Sequence, residues 1–234
     1  MRNALLTAGL LYVGLCALLF AWQRRMIYFP PAGQEAGPIV RRMAGERAVI
    51  YFGGNAEDVA YSVEELAAAF PGQSLYLMRY PGYGGEPGSP TEAGIMAGAE
   101  GLWERVRAEY GRVTLVGRSL GSGVAVRLAA GRKVERLVLI TPFDSLEGVA
   151  AEKLPWLPVR LLLRDKYQSW RYAPAVTAPT RIIAAERDEV IPPASAALLL
   201  TRFRPGVASY AVVRGAGHND ISGYAEYARL LRGE

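Results

Sequence analysis

The chain has 234 residues, with 27 Lys and Arg against 22 Asp and Glu, a formal charge of +5, one histidine and one cysteine. A single cysteine excludes a disulfide framework, a Cys/His zinc spacing and a redox pair, and no other pattern calls for a metal or cofactor. The cations are dispersed, and their tightest pairs, Arg24-Arg25 and Arg41-Arg42, flank the apolar N-terminal segment, which points to acidic lipid and away from nucleic acid.

Ala4 to Trp22 carries no charge and, at about 1.5 Å per residue, makes a helix close to 30 Å long, enough to cross a bilayer core. Trp22, Arg24, Arg25 and Tyr28 supply the aromatics and cations of an interface. No small-x-small cleavage site precedes Gln23, so an uncleaved anchor over 1–25 is expected rather than a signal peptide. Cys16 lies inside it as a small packing residue. The arginines favour a cytoplasmic side, whereas the short N-terminal tail favours exporting the rest of the chain, the expectation taken here. Residues 26–234 are enough for one well-buried domain.

Apolar strands at Val49–Phe52, Ser74–Arg79, Val113–Val116, Val134–Thr141, Thr180–Ala184 and Ser209–Val213 alternate with helical patterns. That order predicts an α/β fold with a mostly parallel, doubly wound sheet. Ala32–Arg47 lacks the alternation of well-formed strands. Ser62 with Glu65, and Ser89-Pro90-Thr91-Glu92, read as helix starts in which the serine accepts from first-turn N–H groups and the glutamate reaches back. The glycine-rich Tyr80–Gly88 loop has no phosphate-loop lysine and no complete Gly-x-Gly-x-x-Gly, so tight turns are expected there and not a nucleotide site.

Gly117-Arg118-Ser119-Leu120-Gly121 follows an apolar strand and opens a small-residue helix. In a Gly-x-Ser-x-Gly elbow the serine takes a strained conformation and the glycines remove β-carbons that would collide, so Ser119 is the candidate nucleophile, its hydroxyl expected to stand exposed above the sheet. Any imidazole base must be His218, in a short loop between the last strand and the final helix. The tautomer-fixing acid is expected in Glu186-Arg187-Asp188-Glu189; Asp188 is chosen, with Glu186 and Glu189 as runners-up. The order Ser119, Asp188, His218 is the one this elbow calls for. Asp144 is read as a turn or cap residue. The Leu120 N–H, at a helix N-terminus, is one oxyanion donor, and a second should come from the loop after Val49–Phe52. The long connection at 143–178 contains the apolar run Leu154–Leu163, which either covers the nucleophile and meets an acyl chain or packs onto the sheet.

Gln23–Pro30, Tyr51–Ala56, Tyr80–Gly84, the elbow with Pro142–Leu146, and Gly217–Asp220 together resemble the alpha/beta-hydrolase superfamily, in particular its membrane-anchored bud-emergence-type group. The resemblance implies Ser119, Asp188 and His218 as the catalytic set and the N–H of Asn55, or else Ala56, as the second oxyanion donor. Relatives usually carry His-Gly-Asn where this chain has Gly53-Gly54-Asn55, and an antiparallel hairpin within 32–47. The expected function is therefore a membrane-anchored serine hydrolase of a small acyl ester or thioester, lipid-like in kind, working without a cofactor. A serine peptidase and a catalytically silent anchored scaffold are the alternatives.

Overall fold

The computed structural model describes residues 1–234. Helix α1 (Arg2–Ile27) is followed by a seven-stranded sheet: β1 (Ile39–Arg41), β2 (Arg47–Phe52), β3 (Ser74–Met78), β4 (Arg112–Arg118), β5 (Arg136–Ile140), β6 (Thr180–Ala185) and β7 (Ala208–Val213). The spatial order is β1-β3-β2-β4-β5-β6-β7, and only the β1–β3 pair is antiparallel. Within Ala32–Arg47 the hairpin usual in relatives is reduced to the three residues of β1, so the sheet is trimmed at that edge.

The strands read as continuous apolar runs because both faces are covered. Side chains alternate across the sheet: Ala48, Ile50 and Phe52 of β2 join one core, and Val49 and Tyr51 join the other. The first core is closed by α3 (Glu92–Glu109), which buries Ile95, Met96, Ala99, Leu102, Trp103 and Val106 at helical spacing, and by α4 (Leu120–Ala129). The second is closed by α2 (Val63–Ala69) and α9 (Ala225–Arg232). Between β5 and β6 the chain forms α5 (Leu146–Lys153), α6 (Val159–Leu162) and α7 (Ser169–Tyr172); α8 (Pro193–Leu200) precedes β7.

Both capping expectations change. The Ser62 hydroxyl makes no cap but donates to Glu57 at 2.8 Å, and Glu65 accepts from Tyr227 at 2.6 Å, so tertiary partners have taken both groups. Helix α3 is capped by Thr91, not Ser89, through the Gly94 N–H, while Glu92 accepts the backbone N–H groups of Lys166 and Tyr167.

Because β3 lies on one side of β2 and β4 on the other, the connections diverge at the C-terminal ends of β2 and β4, the crevice where open α/β sheets bind ligands. The register sets Phe52 beside Gly117, which brings the loop after β2 level with the elbow.

Candidate active site

Ser119 sits between β4 and α4 with φ 49° and ψ −115°, a strained conformation for a residue with a β-carbon, held by its own backbone. Its N–H donates to the Ile140 carbonyl at 2.9 Å, and its carbonyl accepts from the Ser122 N–H at 2.9 Å and the Ser122 hydroxyl at 2.6 Å. The helix approaches the sheet so closely that a β-carbon on Gly121 would collide with the Phe52 carbonyl, and one on Gly117 with the Gly121 carbonyl.

The His218 ring lies between Ser119 and Asp188. Nε2 is 2.9 Å from Ser119 Oγ, and Nδ1 is 2.9 and 2.8 Å from the two Asp188 carboxylate oxygens. Asp188 is itself fixed, because one oxygen accepts the N–H groups of Val190 and Ile191 at 3.0 and 2.7 Å. Glu186 and Glu189 do not reach the ring. They accept the backbone N–H groups of Gly215 (2.8 Å) and His218 (3.3 Å), and Asp220 accepts that of Gly217 (2.7 Å), so three carboxylates position the histidine loop. Asp144 takes no part in this pairing: it forms an ion pair with Arg202 at 3.0 Å, and Ser145 is the residue that caps α5.

Asn55 is locked from both ends of its carboxamide. Its nitrogen donates to the Ile27 carbonyl, and its oxygen accepts from the Tyr83 hydroxyl (2.7 Å) and the Phe29 N–H (3.1 Å). Burial pushes the Tyr83 phenol up to about 12, so it remains a donor at neutral pH. The backbone N–H groups of Asn55 and Leu120 bond to no protein acceptor. Both residues line the same cavity as Ser119.

Glu57 was not singled out by the sequence, yet it organises the loop after β2. Its carboxylate accepts the Gly54 N–H (2.6 Å), the Tyr51 hydroxyl (2.6 Å) and the Ser62 hydroxyl (2.8 Å), with the Arg118 guanidinium at 3.7 Å. Burial works against the Arg118 charge, but Tyr51, Glu57, Tyr227 and Glu65 around it raise its pKa overall. A β-carbon on Gly53 would lie 2.6 Å from Val59 Cγ1 and 3.2 Å from Glu57 Cδ. Glu57 and Val59 thus fill the space beside Gly53, and the imidazole usual at that position has no room. A glutamate four residues beyond Gly53 is the only sequence signal, and it does not distinguish this role from a solvated loop acid.

The Ser119 hydroxyl is not exposed above the sheet as the elbow alone predicts; Ser119 and His218 are both buried. The roof is a cavity of about 350 Å³, lined almost wholly by apolar side chains. One wall is α1, through Leu19, Phe20, Met26 and Ile27. The other is the connection after β5, through residues from Leu146 to Leu163, so the apolar run Leu154–Leu163 contributes to the cover over Ser119 and is not wholly packed on the sheet. Val190 and Ile191 close the end beside Asp188.

A serine on a strained strand-to-helix turn, over the switch point of a mostly parallel sheet, is the architecture of an alpha/beta hydrolase. A sequence profile described as "Alpha/beta hydrolase family" matches residues 51–232. An uncharacterized protein of Mycobacterium tuberculosis is 37% identical over 243 residues, covering 88% of this chain and 84% of its own length. Human alpha/beta hydrolase domain-containing protein 17B is 30% identical over 163 residues, covering 68% of this chain and 55% of its own length. Among solved structures, one described with the metagenome-derived lipolytic enzymes LipS and LipT superposes with a TM-score of 0.66 at 17% identity, over 87% of this chain and all of the other. The monoacylglycerol lipase of Paleococcus ferrophilus gives 0.62 at 17% identity, over 83% and 95%. The chain belongs to the alpha/beta hydrolase family.

Proposed function

We propose that this protein is a membrane-anchored serine hydrolase that cleaves a carboxylic ester or thioester through an acyl-enzyme. The observation that carries the reading is the continuous hydrogen-bonded line Ser119 Oγ, His218 Nε2, His218 Nδ1, Asp188. His218 takes the Ser119 proton as the oxygen attacks the acyl carbon, and Asp188 holds the ring in the tautomer that leaves Nε2 free to accept. Charge developing on the carbonyl oxygen meets the N–H groups of Leu120 and Asn55, the former at the start of α4. His218 then protonates the departing alkoxide or thiolate. Water, deprotonated by the same nitrogen, attacks the acyl-serine and releases the acid, returning the proton to Ser119.

The apolar cavity favours an acyl group over a peptide, whose backbone would need polar partners along those walls. Helix α1 is long and apolar enough to cross a membrane, and none of its apolar window is buried within the protein. We assign residues 1–25 as the anchor and 26–234 as the hydrolase domain, with 143–178 as its cap.

The test is labelling by a fluorophosphonate, followed by a panel of esters, thioesters and peptides. The full-length protein should label and hydrolyse a short ester, and Ser119→Ala should do neither while keeping its thermal unfolding midpoint. Undiminished labelling of Ser119→Ala would remove the nucleophile assignment, no labelling of the unaltered protein would favour a silent scaffold, and turnover confined to peptides would favour a peptidase.

A further inference from the structure

The cap is joined to α1 along much of the helix, not at its end alone. Arg24 pairs with the buried Asp165 carboxylate (Nε to Oδ2, 2.9 Å), Gln23 donates to the Leu162 carbonyl (3.1 Å) and accepts the Arg164 N–H (2.8 Å), and the Arg164 guanidinium lies 4.0 Å from the centre of the Phe20 ring. Further up the helix, the Tyr12 hydroxyl donates to the Trp156 carbonyl at 2.8 Å. Tyr12 is roughly 18 Å along α1 from Arg24, at about 1.5 Å per residue, and near the middle of the uncharged Ala4–Trp22 stretch. If α1 spans a bilayer, Trp156 lies at the same depth.

The cap is suited to that place. Residues 154–159 carry no charge; Trp156 and Leu161 are 54% and 83% exposed, and neither lines the cavity. Other large apolar groups, such as Tyr61 and Leu198, are also exposed, but Trp156 and Leu161 belong to a segment bonded to the uncovered apolar helix α1, and apolar surface continuous with such a helix marks a contact with something apolar. In hydrocarbon an irregular turn is tolerated only where the protein satisfies its polar groups, and most are satisfied here: Pro155 and Pro158 have no N–H, the N–H groups of Leu154, Leu157, Val159 and Leu161 donate to backbone carbonyls at 2.8–3.0 Å, and the Trp156 carbonyl accepts from the Tyr12 hydroxyl. Arg160 and Arg164, both exposed, have side chains long enough to reach the head groups. Between this segment and α1 lies the cavity that leads down to Ser119.

We infer that Leu154–Leu163 is a second membrane-embedded element, inserted beside α1, and that the groove between the two is a lateral entrance through which an acyl chain passes from the bilayer to Ser119. The inference rests on the reading of α1 as an anchor and of Ser119 as the nucleophile. It adds that the hydrocarbon of the membrane, and not a partner protein, covers the exposed face of the cap.

Its test uses the full-length chain in phosphatidylcholine vesicles. With Cys16→Ala as background, an environment-sensitive fluorophore is placed at Leu161→Cys and, as control, at Lys133→Cys, which is exposed before β5 at the opposite end of the sheet. The probe at 161 should be quenched by phospholipids with nitroxide on the acyl chain and shielded from aqueous iodide, and the probe at 133 should behave the opposite way. Quenching by iodide at both positions overturns the insertion, as does protection of position 161 from both quenchers, which would put a second copy or another part of the protein over the cap. In a second arm, Trp156→Asp with Leu161→Asp should lower hydrolysis of a long-chain ester dissolved in the vesicles by about tenfold or more, since a charge in the hydrocarbon disfavours insertion. Hydrolysis of a water-soluble acetate ester should not change. Equal loss on both substrates, or loss on neither, overturns the lateral entrance. Failure of the unaltered protein to react with a fluorophosphonate would instead remove the hydrolase reading, with insertion still decided by the two probes.

Discussion

On one side of Ser119, the loops after β2, β6 and β7 use carboxylates to hold backbone. Glu57 takes the Gly54 N–H, Asp188 those of Val190 and Ile191, and Glu189 that of His218. On the other side, α1 and the cap meet the site with leucines, valines and phenylalanines, and are tied to one another by few polar links, Tyr12 to Trp156, Gln23 to Leu162 and Arg24 to Asp165. The polar wall holds its atoms by directional hydrogen bonds, the placement that the proposed proton transfer and oxyanion binding require. The apolar wall is non-directional, suited to holding a chain by burial. If the two divide the work in this way, damage to the first should appear in turnover of every substrate, and damage to the second only in substrates with long acyl chains.

The largest effect is expected at Asp188. Asp188→Asn should lower kcat for short and long esters alike by roughly 10⁴, because the amide holds the wrong histidine tautomer. Glu186→Gln and Glu189→Gln should fall far less, since each touches only loop backbone. Steady-state rates on an acetate ester decide it, and a dead Glu189→Gln would move the acid assignment.

Glu57 should come next. In Glu57→Gln, the new NH₂ group either faces the Gly54 N–H, a donor, or faces the Tyr51 and Ser62 hydroxyls, which must turn to accept from it and lose the acceptor for their own protons. A shift of the loop by an ångström should reduce kcat by about a hundredfold with little change in KM. An unchanged kcat would show that the loop after β2 is positioned without this carboxylate and that the polar wall is less demanding than its bonding suggests.

Asp165→Asn tests the apolar wall. The Asp165 carboxylate is buried and the Arg24 side chain is 42% exposed, so loss of the charge should cost about 1–2 kcal/mol of stability in chemical denaturation. Acetate hydrolysis should stay within a factor of about two while long-chain turnover falls several-fold, as α1 loosens from the cap. Equal losses on both substrates would break the comparison between the walls.

Much of the polar wall could be read from the residues themselves. The elbow glycines, a lone histidine near the C-terminus and a carboxylate loop after an apolar strand are local signals, and they led to side chains that lie within 3 Å of one another. The apolar wall could be read only in composition. That Leu154–Leu163 is apolar was evident, but its position against α1 depends on pairs such as Gln23 with Leu162 and Arg24 with Asp165, about 140 residues apart and with no periodic signature. The same physics defeated the capping patterns. Ser62 and Glu65 have the right spacing for a capping box, but Ser62 donates to Glu57 in the preceding loop and Glu65 is taken by Tyr227, brought close by the fold from α9. Burial of Ser119 was missed for a related reason, because the roof comes from distant segments.

The smallest effect is expected behind the polar wall, where Glu65 on α2 faces Arg118 and accepts from Tyr227. Burial raises the Glu65 carboxyl above its ordinary value of 4.5, against the hydrogen bond from Tyr227 and the charge of Arg118, which lower it. The folded chain therefore holds this proton more tightly than the unfolded chain. The stability it contributes is complete below pH 4.5 and is lost as pH rises through the folded value. Glu65→Gln keeps an acceptor for Tyr227 and removes the titration. Its urea midpoint relative to the unaltered protein should therefore rise between pH 4 and pH 7, whereas kcat on either ester should not move, because Glu65 touches neither wall of the cavity. A midpoint difference that shrinks with pH would mean that Arg118 and Tyr227 outweigh burial, and the carboxylate network would then extend around Arg118 from Glu57 to Glu65 as a charged unit.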